Sequence, residues 1–248
     1  MFENASQLQE YYRSRQGRHV AARLRRTVSE FWSRAPNACN AAIGYAQPVV
    51  RAEDSTRQIL MMPLRLGVQS WPAKGPARTV LVNSRKLPLQ NVQLDRLLLI
   101  HALEFDSNPS RLLDECWRVM DGSGRLLVMV PNRHGLWARA EKAPFGHGRP
   151  YSRGQLRHLL QDHGFTPMAA HTVLFTPPAA IGLFLKFAPQ MERIGRNWSP
   201  RIGGVLVVEA AKNLYAPAGQ KSRQRAVKQK AARKLAPRPT GAIREKAE

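Results

Sequence analysis

Two segments, each containing a continuous apolar run, constrain this chain more than any other feature: LDRLLLIHAL at 94–103 and RLLVMVPN at 125–132. A strand with one face in water alternates apolar and polar residues. A continuous run marks a strand buried on both faces. Between the runs, Asn108-Pro109 predicts a helix start, with Asn as cap and Pro at the first helical position, where an N–H has no partner to lose. Leu112, Leu113, Cys116, Trp117 and Met120 then repeat at helical spacing. Strand, helix and strand in this order form a βαβ unit, which belongs to a parallel sheet covered on both faces.

The rest of the chain is read outward from that unit. Residues 7–33 predict one amphipathic helix, carried by Val20, Leu24, Val28 and Phe31 and ended by Pro36. ACNAAI (38–43) predicts a short buried strand, followed by a turn at Gly44 and a helix opening at Pro48. RTVLVN (78–83) alternates as a strand, DGSG (121–124) predicts a turn, and 51–75 mixes helix and strand signals. Ser152-Arg153-Gly154-Gln155 is a capping box opening a helix that stops at Gly164. Strands follow near 168–176 and 204–211, with a helix between them on Ile181, Leu185, Ala188 and Met191. From Ala216 no apolar periodicity remains, and the composition predicts a disordered basic tail. The expected organisation is an N-terminal helix (1–36), an α/β domain (37–215) and the tail (216–248).

At 43% hydrophobic, 248 residues are enough to bury a large core. Thirty-nine Lys and Arg against 17 Asp and Glu give a net charge of +22. The last 30 residues hold +8 of it, leaving +14 elsewhere. Contact with RNA or another polyanion and a plainly solvated basic face both fit that excess. Cys39 and Cys116 lack zinc or C-x-x-C spacing, so both are expected as buried thiols in a reducing compartment. The N-terminus is polar and Arg-rich, without the apolar core of a signal peptide. The stretch Val173 to Ala188 is broken by Pro177-Pro178 and carries Lys186. The expectation is a cytoplasmic protein without a transmembrane segment.

Ligands of doubly wound sheets bind beyond the carboxyl ends of the strands. That rule gathers four loops: Gly44–Gln47, Asn83–Ser84, His101–Glu104 and Pro131–His134. H-E-x-x-H, P-loop and G-x-S-x-G patterns are absent, as is the G-x-G-x-x-G of hydride-transfer enzymes.

Three blocks and a closing strand then supply a resemblance: LPLQNVQLDRLLLIHALEF (87–105), LLDECWRVMDGSGRLLVMVPN (112–132), RPYSRGQLRHLLQDHGF (149–165) and GGVLVVEAAK (203–212). In this order they resemble a class I S-adenosylmethionine-dependent methyltransferase of the type 11 sort. The resemblance implies a Rossmann-like, doubly wound α/β fold: a mostly parallel, seven-stranded sheet with an antiparallel last strand. It implies S-adenosyl-L-methionine as cofactor and an unidentified small molecule as methyl acceptor.

The family's first motif, E/D-x-G-x-G-x-G, falls on Asn40 to Ala46, where the acid and two glycines are missing. Asn83 stands where the family places an Asp against the adenine amino group, and Arg65 and Gln69 lie where a ribose-binding carboxylate is usual. The residues implied to hold the cofactor are Ala42, Gly44, Tyr45, Ala46, Asn83, Ser84 and His101. Those implied for catalysis are His101, His147 and Tyr151, with histidine suited to proton removal near neutral pH. FGHGRPY (145–151) reads as a substrate lid or a packed turn, and Trp137 as a buried anchor. The alternatives are a methyltransferase-like scaffold without catalysis that contacts RNA or another polyanion, and an RNA methyltransferase whose tail grips phosphates.

Overall fold

The computed structural model describes residues 2, 4–32, 37–52, 57–178, 190–192, 195 and 202–214. The chain divides into two units, Met1–Leu214 and Tyr215–Glu248, and every described residue belongs to the first. The expected tail and most of the expected helix after Pro178 lie outside the described residues.

The N-terminal segment forms two helices, α1 (Ala5–Arg13) and α2 (Arg15–Phe31), where the periodicity predicted one. The break is local chemistry. Ser14 takes an extended backbone and its hydroxyl accepts from Gly17 N at 3.0 Å, so it ends the first helix and caps the second. α2 is tied down by a buried pair, Arg23 Nε to Glu192 Oε2 at 3.1 Å.

Seven strands form one sheet: β1 (Cys39–Gly44), β2 (Arg57–Pro63), β3 (Thr79–Val82), β4 (Leu94–Ile100), β5 (Met120–Pro131), β6 (Phe165–Val173) and β7 (Val205–Lys212). Their order is β3-β2-β1-β4-β5-β7-β6. The first five run parallel, and β7 runs antiparallel to both β5 and β6. This is the predicted doubly wound sheet with its antiparallel last strand. The strand order reverses beside β1, so the carboxyl ends of β1 and β4 border the crevice where such sheets bind ligands.

The two continuous runs are β4 and β5, each covered on both faces. Leu98 and Ile100 pack on the side of α1 and α2. Leu97 and Leu99 pack on the side of α3 (Pro109–Val119) and α4 (Arg153–Asp162). Each of these leucines is at most 1% exposed, and burying one such side chain is worth about 1.5–3 kcal/mol. α3 begins as predicted, with Asn108 Oδ1 accepting from Arg111 N, and the capping box of α4 is complete in both directions.

Three other expectations are corrected. The helix expected at Pro48 is only a turn, closed by Val49 N and Val50 N on Ala46 O, so no helix follows β1 among the described residues. DGSG is not a turn between elements but an irregular part of β5, where the register with β4 shifts between Leu94 and Arg96. Asp121 accepts from both the amide and the hydroxyl of Ser123 there, which holds the kink inside the strand. Cys116 is buried as expected, whereas Cys39 is only half-buried. No helix among the described residues is long and apolar enough to cross a membrane.

Candidate functional site

The site begins at the end of β1. Gly44 has φ +104°, and a Cβ placed on it would stand 1.9 Å from the Ile100 carbonyl oxygen. Glycine is therefore demanded here by the approach of β4 as well as by the turn. Tyr45 N donates to the same Ile100 oxygen at 3.1 Å, locking the two strand ends together.

His101 follows β4 with φ +51° and is fully buried. Its Nε2 lies 2.7 Å from the Tyr12 hydroxyl of α1. Burial, then the fields of Tyr11 and Glu104, raise the Tyr12 pKa well above its ordinary value, so this phenol keeps its proton. His101 Nδ1 lies 3.3 Å from Glu104 Oε1 but has no hydrogen-bond partner among the described residues. Glu104 is 3% exposed, and neither of its carboxylate oxygens has a hydrogen-bond partner among the described residues. A buried carboxylate left in that state is costly, and such groups mark functional sites. Phe145 closes the other side of the ring, its centroid 4.7 Å from that of His101.

The remaining predicted residues separate into three groups. Tyr45 is 2% exposed, stacks on Tyr12 at 6.0 Å between centroids, and its hydroxyl donates to Gln69 Oε1. Burial pushes the Tyr45 phenol up to about 12. Ala46 is buried with it, while Ala42 lies two residues back in β1 and lines a different cavity, described below. Asn83 is exposed after β3, its Oδ1 accepting from Arg85 N, and Ser84 donates to Asp106 Oδ2 at 2.6 Å. These two form an open polar rim beside the buried His101 group.

The loop after β5 packs against that group. Arg149 N donates to Glu104 O at 2.7 Å. Tyr151 is buried, its hydroxyl unpartnered among the described residues, and its pKa is raised by burial, with Glu104 and Asp106 adding to the shift and Arg149 opposing it. His147 is not brought to His101. Its ring bonds the Glu141 carbonyl and meets the edge of Phe2, a role in shaping its own loop. Trp137 is the expected anchor: buried, with Nε1 donating to Thr176 O at 2.8 Å. His134 is exposed.

Sequence reasoning missed Tyr12, Phe145 and Asp106. Tyr12 stands 89 positions before its partner. The only signal was the Tyr11-Tyr12 pair, which reads equally well as core.

Gly44, the polar rim of Asn83 and Ser84, and His101 lie at the carboxyl ends of β1, β3 and β4, where doubly wound sheets bind ligands. The ring of Tyr12 stacks beside the turn, and α1 carries it. The glycine turn and this polar rim suit S-adenosylmethionine, with the Tyr12 ring beside the turn to be displaced.

No family model matches the chain. It is 33% identical over 89 residues to a protein of two Mycobacterium tuberculosis strains described as a probable S-adenosylmethionine-dependent methyltransferase, a match covering 35% of this chain. The chain therefore spans only about a third (32%) of the length of the curated relatives it matches. Among solved structures it is similar to a Thermotoga maritima S-adenosylmethionine-dependent methyltransferase described as a possible histamine N-methyltransferase. That likeness has a TM-score of 0.57 and 16% identity, covering 83% of this chain and 94% of the other. It is also similar to a 4+2 cyclase, SpnF, with a TM-score of 0.54 and 18% identity, covering 77% of this chain and 80% of that one. At such identities a structural likeness establishes the fold.

Proposed function

From a chain that has the class I S-adenosylmethionine-dependent methyltransferase fold, we propose an enzyme that transfers a methyl group from S-adenosylmethionine to a small-molecule acceptor. The observation that carries this reading is the buried Tyr12–His101–Glu104 group at the carboxyl end of β4. The bound cofactor supplies an electrophilic methyl group on its sulfonium. Everything else falls to the protein: positioning, exclusion of water and removal of the acceptor's proton.

His101 is the base in this reading. In this role Nε2 is the unprotonated nitrogen, within hydrogen-bond distance of the Tyr12 hydroxyl at 2.7 Å. An acceptor O–H or N–H takes the place of the Tyr12 hydroxyl and delivers its proton to Nε2. Glu104 beside Nδ1 stabilises the imidazolium that forms. Asn83 and Ser84 form the rim for the adenosine half. Asn83 Oδ1 keeps a second lone pair for an amino group. Full burial of His101 beneath α1 favours a small acceptor over RNA, whose backbone could not follow its base into so closed a site.

A second reading, a binding module without catalysis, is favoured by the Tyr12–Tyr45 stack over Gly44 and by the absence of a carboxylate after β2. Calorimetric titration with S-adenosylmethionine and S-adenosylhomocysteine separates the two. Saturable heat at sub-millimolar ligand supports the enzyme, whereas folded protein giving none at millimolar ligand refutes it. Tyr12→Ala is expected to tighten both ligands, because it removes the cost of displacing the ring.

A further inference from the structure

The missing helix after β1 leaves the α2 side of the sheet partly uncovered, and a cavity of about 640 Å³ opens there. It is distinct from the His101 site: it lies over the middle of β1, β2 and β4, between those strands and α2. Its volume falls in the ordinary range of small-ligand pockets. The floor is apolar, made by residues such as Ala42, Leu60 and Leu98, with Trp71 at its side. Four arginines line it, Arg25 and Arg26 from α2, Arg51 after the turn and Arg96 from β4, and no described lining residue is acidic.

Two details show a polar capacity that the protein itself does not meet. Arg25 donates through Nη2 to Pro48 O at 2.7 Å, yet its Nε is buried without a partner. Asn40 Oδ1, also on the lining, is buried without a partner. Native proteins rarely leave such atoms unpaired. The guanidinium groups of four arginines around an apolar floor suit an anionic oxygen. Trp32 is already approached by the Arg96 guanidinium, 5.7 Å from its ring, so the mouth combines positive charge with flat apolar surface.

We infer that this cavity binds an amphipathic organic anion, its acidic group at Arg25 and Arg51 and its apolar body over β1, β2 and β4. The site is independent of the methyl-transfer reading, and its failure would leave that reading intact.

The test uses the folded full chain and 1-anilinonaphthalene-8-sulfonate, with energy transfer from Trp32 and Trp71 as the readout. Saturable single-site binding is expected. N-phenyl-1-naphthylamine, the same rings without the sulfonate, is expected to bind at least about tenfold more weakly, as a lost charge-assisted hydrogen bond implies. Arg25→Gln is expected to weaken the sulfonate by a similar factor. Arg51→Gln, an exposed position, provides the same test without risk to folding. Arg157→Gln, an exposed position on α4 outside the lining, is expected to leave binding unchanged. Equal binding of the charged and uncharged probes overturns the inference, as does equal loss at Arg157. Binding that appears only in Glu53→Gln/Asp54→Asn also overturns it, since it would assign the arginines to the chain's own acidic pair.

Discussion

Gly44→Ala separates the demands of the strand from those of a ligand. The backbone there has φ +104°, outside the small left-handed well open to other residues. Forcing an L-residue into left-handed backbone costs about 1–2 kcal/mol. The added methyl also meets the Ile100 carbonyl oxygen at 1.9 Å and the His101 carbonyl carbon at 3.0 Å, both backbone atoms. Neither can rotate away, so the ends of β1 and β4 must part, and the Tyr45 N–H···O bond is lost for about 1 kcal/mol more. The expected total is about 3 kcal/mol, or a melting temperature lower by about 6–12 °C for a unit of this size. Urea and thermal unfolding followed by circular dichroism measure it. Gly75→Ala is the control: φ is +88° but nothing lies within 4 Å, so only the backbone penalty of about 1–2 kcal/mol applies. If Gly44→Ala costs no more than Gly75→Ala, the strand-contact argument is wrong and the glycine must be explained by what binds there.

Trp137→Ala is expected to destabilise by about 3–5 kcal/mol, since it empties a buried site and strands the Thr176 carbonyl; a urea midpoint near wild type would contradict this. Ser152→Ala removes the α4 cap and is expected to cost about 1 kcal/mol, with Thr at the same position restoring most of it in the same assay. Burial raises the folded Tyr45 pKa to about 12, above the ordinary phenol value of about 10, so the folded state holds the proton more tightly. Its contribution to stability is complete below pH 10 and declines as pH rises towards 12, and Tyr45→Phe is expected to flatten that alkaline decline in urea titrations. An unchanged slope would place the alkaline loss on other groups.

Much of the frame was legible because it depends on short-range chemistry. The apolar runs within 94–103 and 125–132 show no alternation, as is expected of strands covered on both faces. Asn108-Pro109 and the Ser152–Gln155 box satisfy orphan amides within one helical turn, so their meaning survives any packing. The same local rules failed where two signals overlapped. Ser14 sits inside a continuous apolar stripe, and its hydroxyl cap on Gly17 overrides that periodicity. Pro48 suits a helix start, yet β1 ends in a turn closed on Ala46, and no helical stripe follows to repay the ordering of a helix.

The sequence by itself determined that this chain forms a doubly wound sheet and which loops gather at its carboxyl edge, because strand periodicity and helix caps are written within a few residues. Only the tertiary structure decided what fills that edge. Tyr12 reaches His101 across 89 positions, and Glu104 is stripped of water by elements distant in the chain. The arginine-lined cavity exists because α2 and the sheet leave a gap where a helix after β1 would lie. Contacts of that kind depend on where whole elements come to rest, which no window of local sequence encodes.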